Sequence, residues 1–136
     1  GILDLKRILH LEKHWKVIPQ GETYKLGKLV FAHGDQFSGG EHVAKAAVIA
    51  CEKSVRFGHF HSYQVYTKNS MVTEKAHTGV VVPCLCKKGP GYGKGAPNRW
   101  TQGFNWGYIN DDGSYNDYVT IINDGRATIN GKVYVG

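Results

Sequence analysis

Residues 29–61 read LVFAHGDQFSGGEHVAKAAVIACEKSVRFGHFH, and this stretch decides the fold. It opens on the apolar run Leu29-Val30-Phe31-Ala32, breaks at His33-Gly34-Asp35, and closes on Ser54-Val55-Arg56-Phe57-Gly58 followed by His59-Phe60-His61. Each apolar run predicts a buried strand, and each glycine marks where that strand ends. Between them, residues 41–53 carry Val43-Ala44-Lys45-Ala46-Ala47-Val48-Ile49-Ala50-Cys51, apolar nearly all round, which predicts a helix covered by other structure. Strand, helix and strand within about 30 residues make a βαβ unit with parallel strands and a right-handed crossover. His33 and His59 then lie at carboxyl ends of neighbouring strands, where open α/β sheets form their sites, and His61 follows two residues later.

Outward from this core the pattern is readable in both directions. Upstream, Leu5, Ile8, Leu9 and Trp15 recur at helical spacing, predicting an amphipathic helix over 3–15. Pro19-Gln20-Gly21-Glu22 reads as a turn and residues 23–27 as a short strand. Downstream the period changes to two, so Gln64-Val65-Tyr66, residues 71–75 and Gly79-Val80-Val81-Val82 are expected to be antiparallel strands, with a further set starting over 100–109. Asn110-Asp111-Asp112-Gly113, Asn123-Asp124-Gly125 and Asn130-Gly131 are hairpin turns, in which these residue types accept positive φ. The expected fold is α/β (α+β): one βαβ unit followed by an antiparallel β meander.

Composition sets the limits. A chain of 136 residues with 41% hydrophobic and 21% charged residues suits one folded domain. No apolar stretch approaches the ~20 residues needed to cross a bilayer, and the N-terminus lacks signal-peptide features, so a soluble, cytoplasmic chain with no membrane partner is expected. The net charge of +6 favours anionic partners. Lys87, Lys88, Lys94 and Arg99 gather around a glycine- and proline-rich surface loop beside Tyr92 and Trp100, where they could contact an anion such as a nucleic acid backbone or simply be solvated. Cys51, Cys84 and Cys86 are odd in number, and Cys84-Leu85-Cys86 is too tightly spaced for the usual zinc loop, so idle thiols are expected.

The histidines carry the chemistry. Neutral imidazole binds manganese, zinc, iron or nickel, and loops after adjacent parallel strands can bring such groups together. A single histidine at a strand end would be read as structural, but His33, His59 and His61 at two adjacent edges point to metal ligands. Asp35 is expected to shape the turn, or to support a ligand imidazole. His10 and His14 lie one turn apart on the first helix, a spacing that can chelate, but their face is charged and they are expected to be solvated; His42 and His77 show no partner pattern. Asp111, Asp112, Ser114, Asn116 and Asp117 resemble a calcium loop only crudely, because Gly113 falls too early and strands flank it.

A hydrophobic strand ending in His-Gly, a helix, and a second strand ending in Gly-His-x-His resemble the last two metal motifs of calcineurin-like metallophosphoesterases. The resemblance spans residues 29–62, and Asn98-Arg99-Trp100-Thr101-Gln102-Gly103-Phe104 is similar to members encoded by phages and prophages. It implies a four-layer α/β/β/α sandwich and metal-dependent hydrolysis of phosphate mono- or diesters. Two divalent ions ~3.5 to 4 Å apart would hold the phosphoryl group and a bridging hydroxide. His33 and His59 would bind one metal and His61 the other, with Gly34, Asp35 and Gly58 shaping or supporting the ligand loops. The family's Asp-x-His, Gly-Asp-x-x-Asp and Gly-Asn-His motifs are missing, so the chain is expected to be the C-terminal part of such a domain. It should then be weak or inactive alone, with partial metal occupancy, and prone to self-association or pairing with the N-terminal half. A nucleic-acid-binding module and a structural or interaction domain are the alternative classes.

Overall fold

In the computed structural model, the described residues are Leu11, 15–87 and 99–136. The expected N-terminal helix lies almost wholly outside them, as do Lys88, Lys94, His10 and His14. The βαβ unit over residues 29–61 forms as expected, with its two strands parallel. Strands β1 (Thr23–Leu26) and β2 (Leu29–Ala32) form a tight hairpin, and β2 runs parallel to β3 (Ser54–Phe57) with Val30 opposite Val55 and Ala32 opposite Phe57. Helix α1 (Val43–Cys51), preceded by a 3-10 turn over Gly40–His42, makes the connection. Strands β4 (Gln64–Asn69) and β5 (Ala76–Val81) complete a five-stranded sheet ordered β1-β2-β3-β5-β4.

Side-chain alternation assigns the two faces of this sheet. Val30, Val55, Phe57 and Val81 face α1, packing with its Val43, Ala44, Ala47 and Val48 into one buried cluster. Gly79 sits in the same row, and a Cβ there would clash with the carbonyl oxygen of Ala44. The helix therefore seats on β5 only because this position has no side chain. The opposite face carries Arg56 and Thr78, and against it lies the hairpin of β6 (Gly103–Ile109) and β7 (Tyr115–Ile121). Arg56 is clamped to Asp117 there by two bonds of 2.6 and 2.8 Å. At the hairpin tips, the backbone N–H of Lys28 donates to the carbonyl of Gly113 at 2.8 Å.

Four expectations need correction. Residues 71–75 form the turn between β4 and β5, because the Ser70 hydroxyl accepts the N–H groups of Val72 and Thr73 and leaves Met71 and Val72 exposed. The strand over Gly79 is antiparallel to β4 but parallel to β3, so it belongs to both halves of the pattern. Helix α1 is covered on one face only: Lys45, Ile49 and Ala50 are exposed. The tail is not one continuous meander. Strands β8 (Arg126–Ile129) and β9 (Lys132–Val135) form their own two-stranded sheet, joined to the preceding hairpin by a single bridge from Asn123 to Arg126. The turns behave as expected, with Asp124, Gly125, Asn130 and Gly131 at φ 47, 71, 50 and 77°. The 110–114 segment is likewise a hairpin turn, in which Asp112 accepts the N–H and hydroxyl of Ser114.

Candidate metal centre

All four residues of β3 are buried, so its end is a rigid platform for the segment Gly58-His59-Phe60-His61. His59 and His61 both adopt left-handed backbone conformations, at φ 66° and 55°. Such conformations are uncommon away from glycine and cost on the order of 1–3 kcal/mol each. The intervening Phe60 is held by the core cluster, its ring 6.1 Å edge-on from Phe57, which anchors the strained segment. On β2, His33 is followed by Gly34 at φ 114°, where a Cβ would fall 2.9 Å from the Phe57 ring and 3.0 Å from the Gly58 carbonyl oxygen. Gly34 is thus required twice, by its dihedral and by the close approach of the two loops. Gly58 instead donates its N–H to the His33 carbonyl at 3.0 Å, and a Cβ on it would meet nothing closer than 3.7 Å.

This backbone brings two of the three expected ligands into contact. His33 Nε2 and His59 Nδ1 are 3.2 Å apart, the rings edge to face with centroids 5.1 Å apart. Two imidazole nitrogens on a common divalent ion, each about 2.0–2.1 Å from it, are about 3.3 Å apart in a tetrahedral arrangement and about 2.9 Å in a cis octahedral one. The pair therefore fits a shared ion, and equally a hydrogen bond in which one ring donates and the other accepts. Asp35 is exposed and accepts from Gln20 Nε2 at 3.1 Å. That bond holds its carboxyl below the ordinary range, desolvation opposes it, and the neighbouring His33 and His59 add to the lowering. Gly34 N–H donates to Gln36 Oε1 and Phe37 N–H to the Gly34 carbonyl, so the Asp35 segment is a turn.

His61 belongs to a different neighbourhood. Its ring lies edge-on to Trp100 with centroids 4.4 Å apart, and it forms a cluster with Cys84 and Cys86 in which the ligand atoms all lie within 4.8 Å of one another. The thiols expected to be idle therefore share a site with a candidate ligand. Burial pushes the Cys84 thiol up, and its contact with Cys86 adds to the rise; burial also raises Cys51, which takes no part in the cluster. Of the candidate anion contacts, Lys87 is exposed and Arg99 forms a 2.6 Å ion pair with Glu41, both side chains well exposed. A second cationic group lies at the other end of the sheet, where Lys25, Lys28, Lys53, Lys75 and His77 line a cleft of about 530 Å³.

Among the described residues no helix is long and apolar enough to cross a membrane. No family model, no curated protein and no solved structure matches the chain.

Proposed function

We propose that this chain carries the histidine ligands of a divalent-metal phosphoesterase site and hydrolyses phosphate mono- or diesters together with a segment that supplies the bridging carboxylates. The observation that carries this proposal is the 3.2 Å approach of His33 Nε2 to His59 Nδ1 at the carboxyl ends of adjacent parallel strands. His33 and His59 would hold one ion; the second, which the resemblance assigns to His61, would take its ligands from the carboxylate-bearing segment, because His61 lies with Cys84 and Cys86. A bound divalent ion supplies Lewis-acid stabilisation of phosphoryl charge and an acidified water. The chain's own residues orient the donors: Gly34 lets the two loops meet, and the buried β3 and Phe60 fix the positions of His59 and His61. Among manganese, zinc, iron and nickel, manganese is the probe for the His33–His59 position because it binds thiolates poorly and so leaves Cys84 and Cys86 out of the readout. The four-layer sandwich belongs to the same proposal.

Among the described residues β1 pairs only with β2, leaving an edge open to a second copy or to the carboxylate-bearing segment. A strictly monomeric species in sedimentation at high concentration would count against such pairing. Nucleic-acid binding by the 87–99 loop has less support, because Arg99 is engaged by Glu41.

Thermal melting with and without manganese tests the site directly. A ligand that binds only the native state stabilises it by about 2.7 kcal/mol at a concentration of 100 Kd. The expected result is a metal-dependent rise that His33→Ala and His59→Ala each remove. Absence of any rise would leave a purely hydrogen-bonded pair and overturn the proposal. Without the carboxylates, turnover of an aryl phosphate by this chain alone should be weak or absent.

A further inference from the structure

We infer that Cys84, Cys86 and His61 form a thiolate-rich site for a zinc-class divalent ion, distinct from the His33–His59 pair. The site is built on the extended segment 101–103. Thr101 N–H donates to the His61 carbonyl at 2.8 Å, and Thr101 in turn accepts from the Cys84 N–H at 3.0 Å. Gly103 N–H donates to the Cys84 carbonyl at 3.0 Å, Cys84 bridges Gln102, and the Gln102 side-chain amide donates to the Cys86 carbonyl at 3.0 Å. All three ligand residues are therefore fixed through the same short stretch of backbone. Cys84 sits in the bridge to Gln102 and the chain bends at Cys86, and the two thiols reach one histidine despite their tight spacing. The left-handed backbone of His61 is a second sign that the histidine is held where a relaxed chain would not leave it.

The donor chemistry selects the ion. Two sulfurs and one imidazole nitrogen favour zinc over magnesium, calcium or manganese, and three protein ligands leave a fourth position for water or substrate. Sulfurs bound at about 2.3 Å in a tetrahedron lie about 3.8 Å apart. Ligand atoms within 4.8 Å of one another therefore need to close by at most about 1 Å. Cys86 is exposed, so its side chain can make that adjustment, while Cys84 is half-buried with its Sγ 3.6 Å from the Thr101 carbonyl oxygen. The site needs neither His33 nor His59, and so does not depend on the phosphoesterase proposal.

The test is cobalt(II) titration of the reduced protein, read by absorption, with zinc protection of thiols as a second measurement. Thiolate ligation gives an intense sulfur-to-cobalt charge-transfer band that nitrogen and oxygen ligands cannot produce. The expected result is such a band, lost in Cys84→Ser and in Cys86→Ser, weakened in His61→Ala and retained in His33→Ala, with folding of each variant verified by circular dichroism. Zinc should shield two of the three cysteines from a thiol reagent, leaving Cys51. A folded, reduced protein that shows no band at saturating cobalt overturns the inference, as does a band that survives both cysteine variants. A band lost in His33→Ala would overturn the separation of the two sites. Retention of the band with no manganese effect on melting would instead reject the His33–His59 centre alone.

Discussion

Replacing Asp117 by alanine should destabilise the protein by about 3–5 kcal/mol, the cost of leaving a buried charge without its partner. Arg56 lies in the middle of the sheet with its side chain 4% exposed, and Asp117 on β7 is 13% exposed. The pair is bidentate, Nε to Oδ2 at 2.6 Å and Nη2 to Oδ1 at 2.8 Å, and charge-assisted bonds are worth about 1.5–3 kcal/mol each. The guanidinium keeps its bonds to the carbonyls of Val55 and Thr78 and to the Thr78 hydroxyl, but among the described residues no other carboxylate is bonded to it. Asn105, which donates to Asp117 at 2.8 Å, loses that acceptor too. The double replacement Arg56→Met, Asp117→Leu should recover part of the loss by removing the orphaned charge, though the carbonyls of Val55 and Thr78 then lose a donor. Urea denaturation of Arg56→Met, Asp117→Leu and their combination gives the coupling energy. A loss below about 1 kcal/mol for Asp117→Ala, the range of an exposed ion pair, would refute the claim that this contact clamps the hairpin to the sheet.

Three further outcomes follow from the same geometry. Gly34→Ala should cost about 1–3 kcal/mol from its φ of 114° and also abolish the metal effect on melting, whereas Gly58→Ala, with open space to 3.7 Å, should change stability by less than about 1 kcal/mol. Equal effects of the two in thermal melting would show that the loop approach does not matter. Gly79→Ala should destabilise by at least about 1–3 kcal/mol through the clash with the Ala44 carbonyl, read in the same assay. The Asp117 carboxyl experiences desolvation that raises its pKa, but the bonds from Arg56 and Asn105 outweigh it and the net shift is downward. Its stabilisation is therefore present above the ordinary aspartate value and lost as pH falls through the lowered folded value, so stability measured from pH 6 to 2 should fall less steeply in Asp117→Asn.

The central βαβ unit was legible because two buried strands and a helix each impose their own periodicity on the chain, and glycines mark their ends. His33 and His59 could be brought together on paper for that reason. Cys84 and Cys86 could not be joined to His61, because the zinc-loop spacing rule describes ligands folded back by one local turn. Here the ligands are held by a separate segment, 101–103, and pairing between segments distant in sequence leaves no periodicity to read. Two cysteines at alternate positions just beyond a strand were the available signal. Residues 71–75 misled for a different reason. Their place in a period-two pattern suggested a strand, but the Ser70 hydroxyl offers the local N–H groups a competing acceptor. The burial of Arg56 could not be foreseen, since it depends on a hairpin sixty residues away covering the second face of the sheet.

The two candidate ion sites share one mechanical origin. His59 and His61 flank Phe60, and both hold left-handed conformations that an unconstrained chain would leave. Phe60 packs on the core beside Phe57, while Phe37, from the loop after β2, meets Phe57 from the other side at 4.8 Å. The strained segment is thus anchored by the partly buried aromatic ring between the histidines, packed against the core. On one side of that ring His59 meets His33, and on the other His61 meets Trp100, Cys84 and Cys86. A nitrogen-only pair and a sulfur-rich set separated by a single residue differ in donor softness, so manganese, which binds thiolate poorly, would be excluded from the second whatever occupied the first.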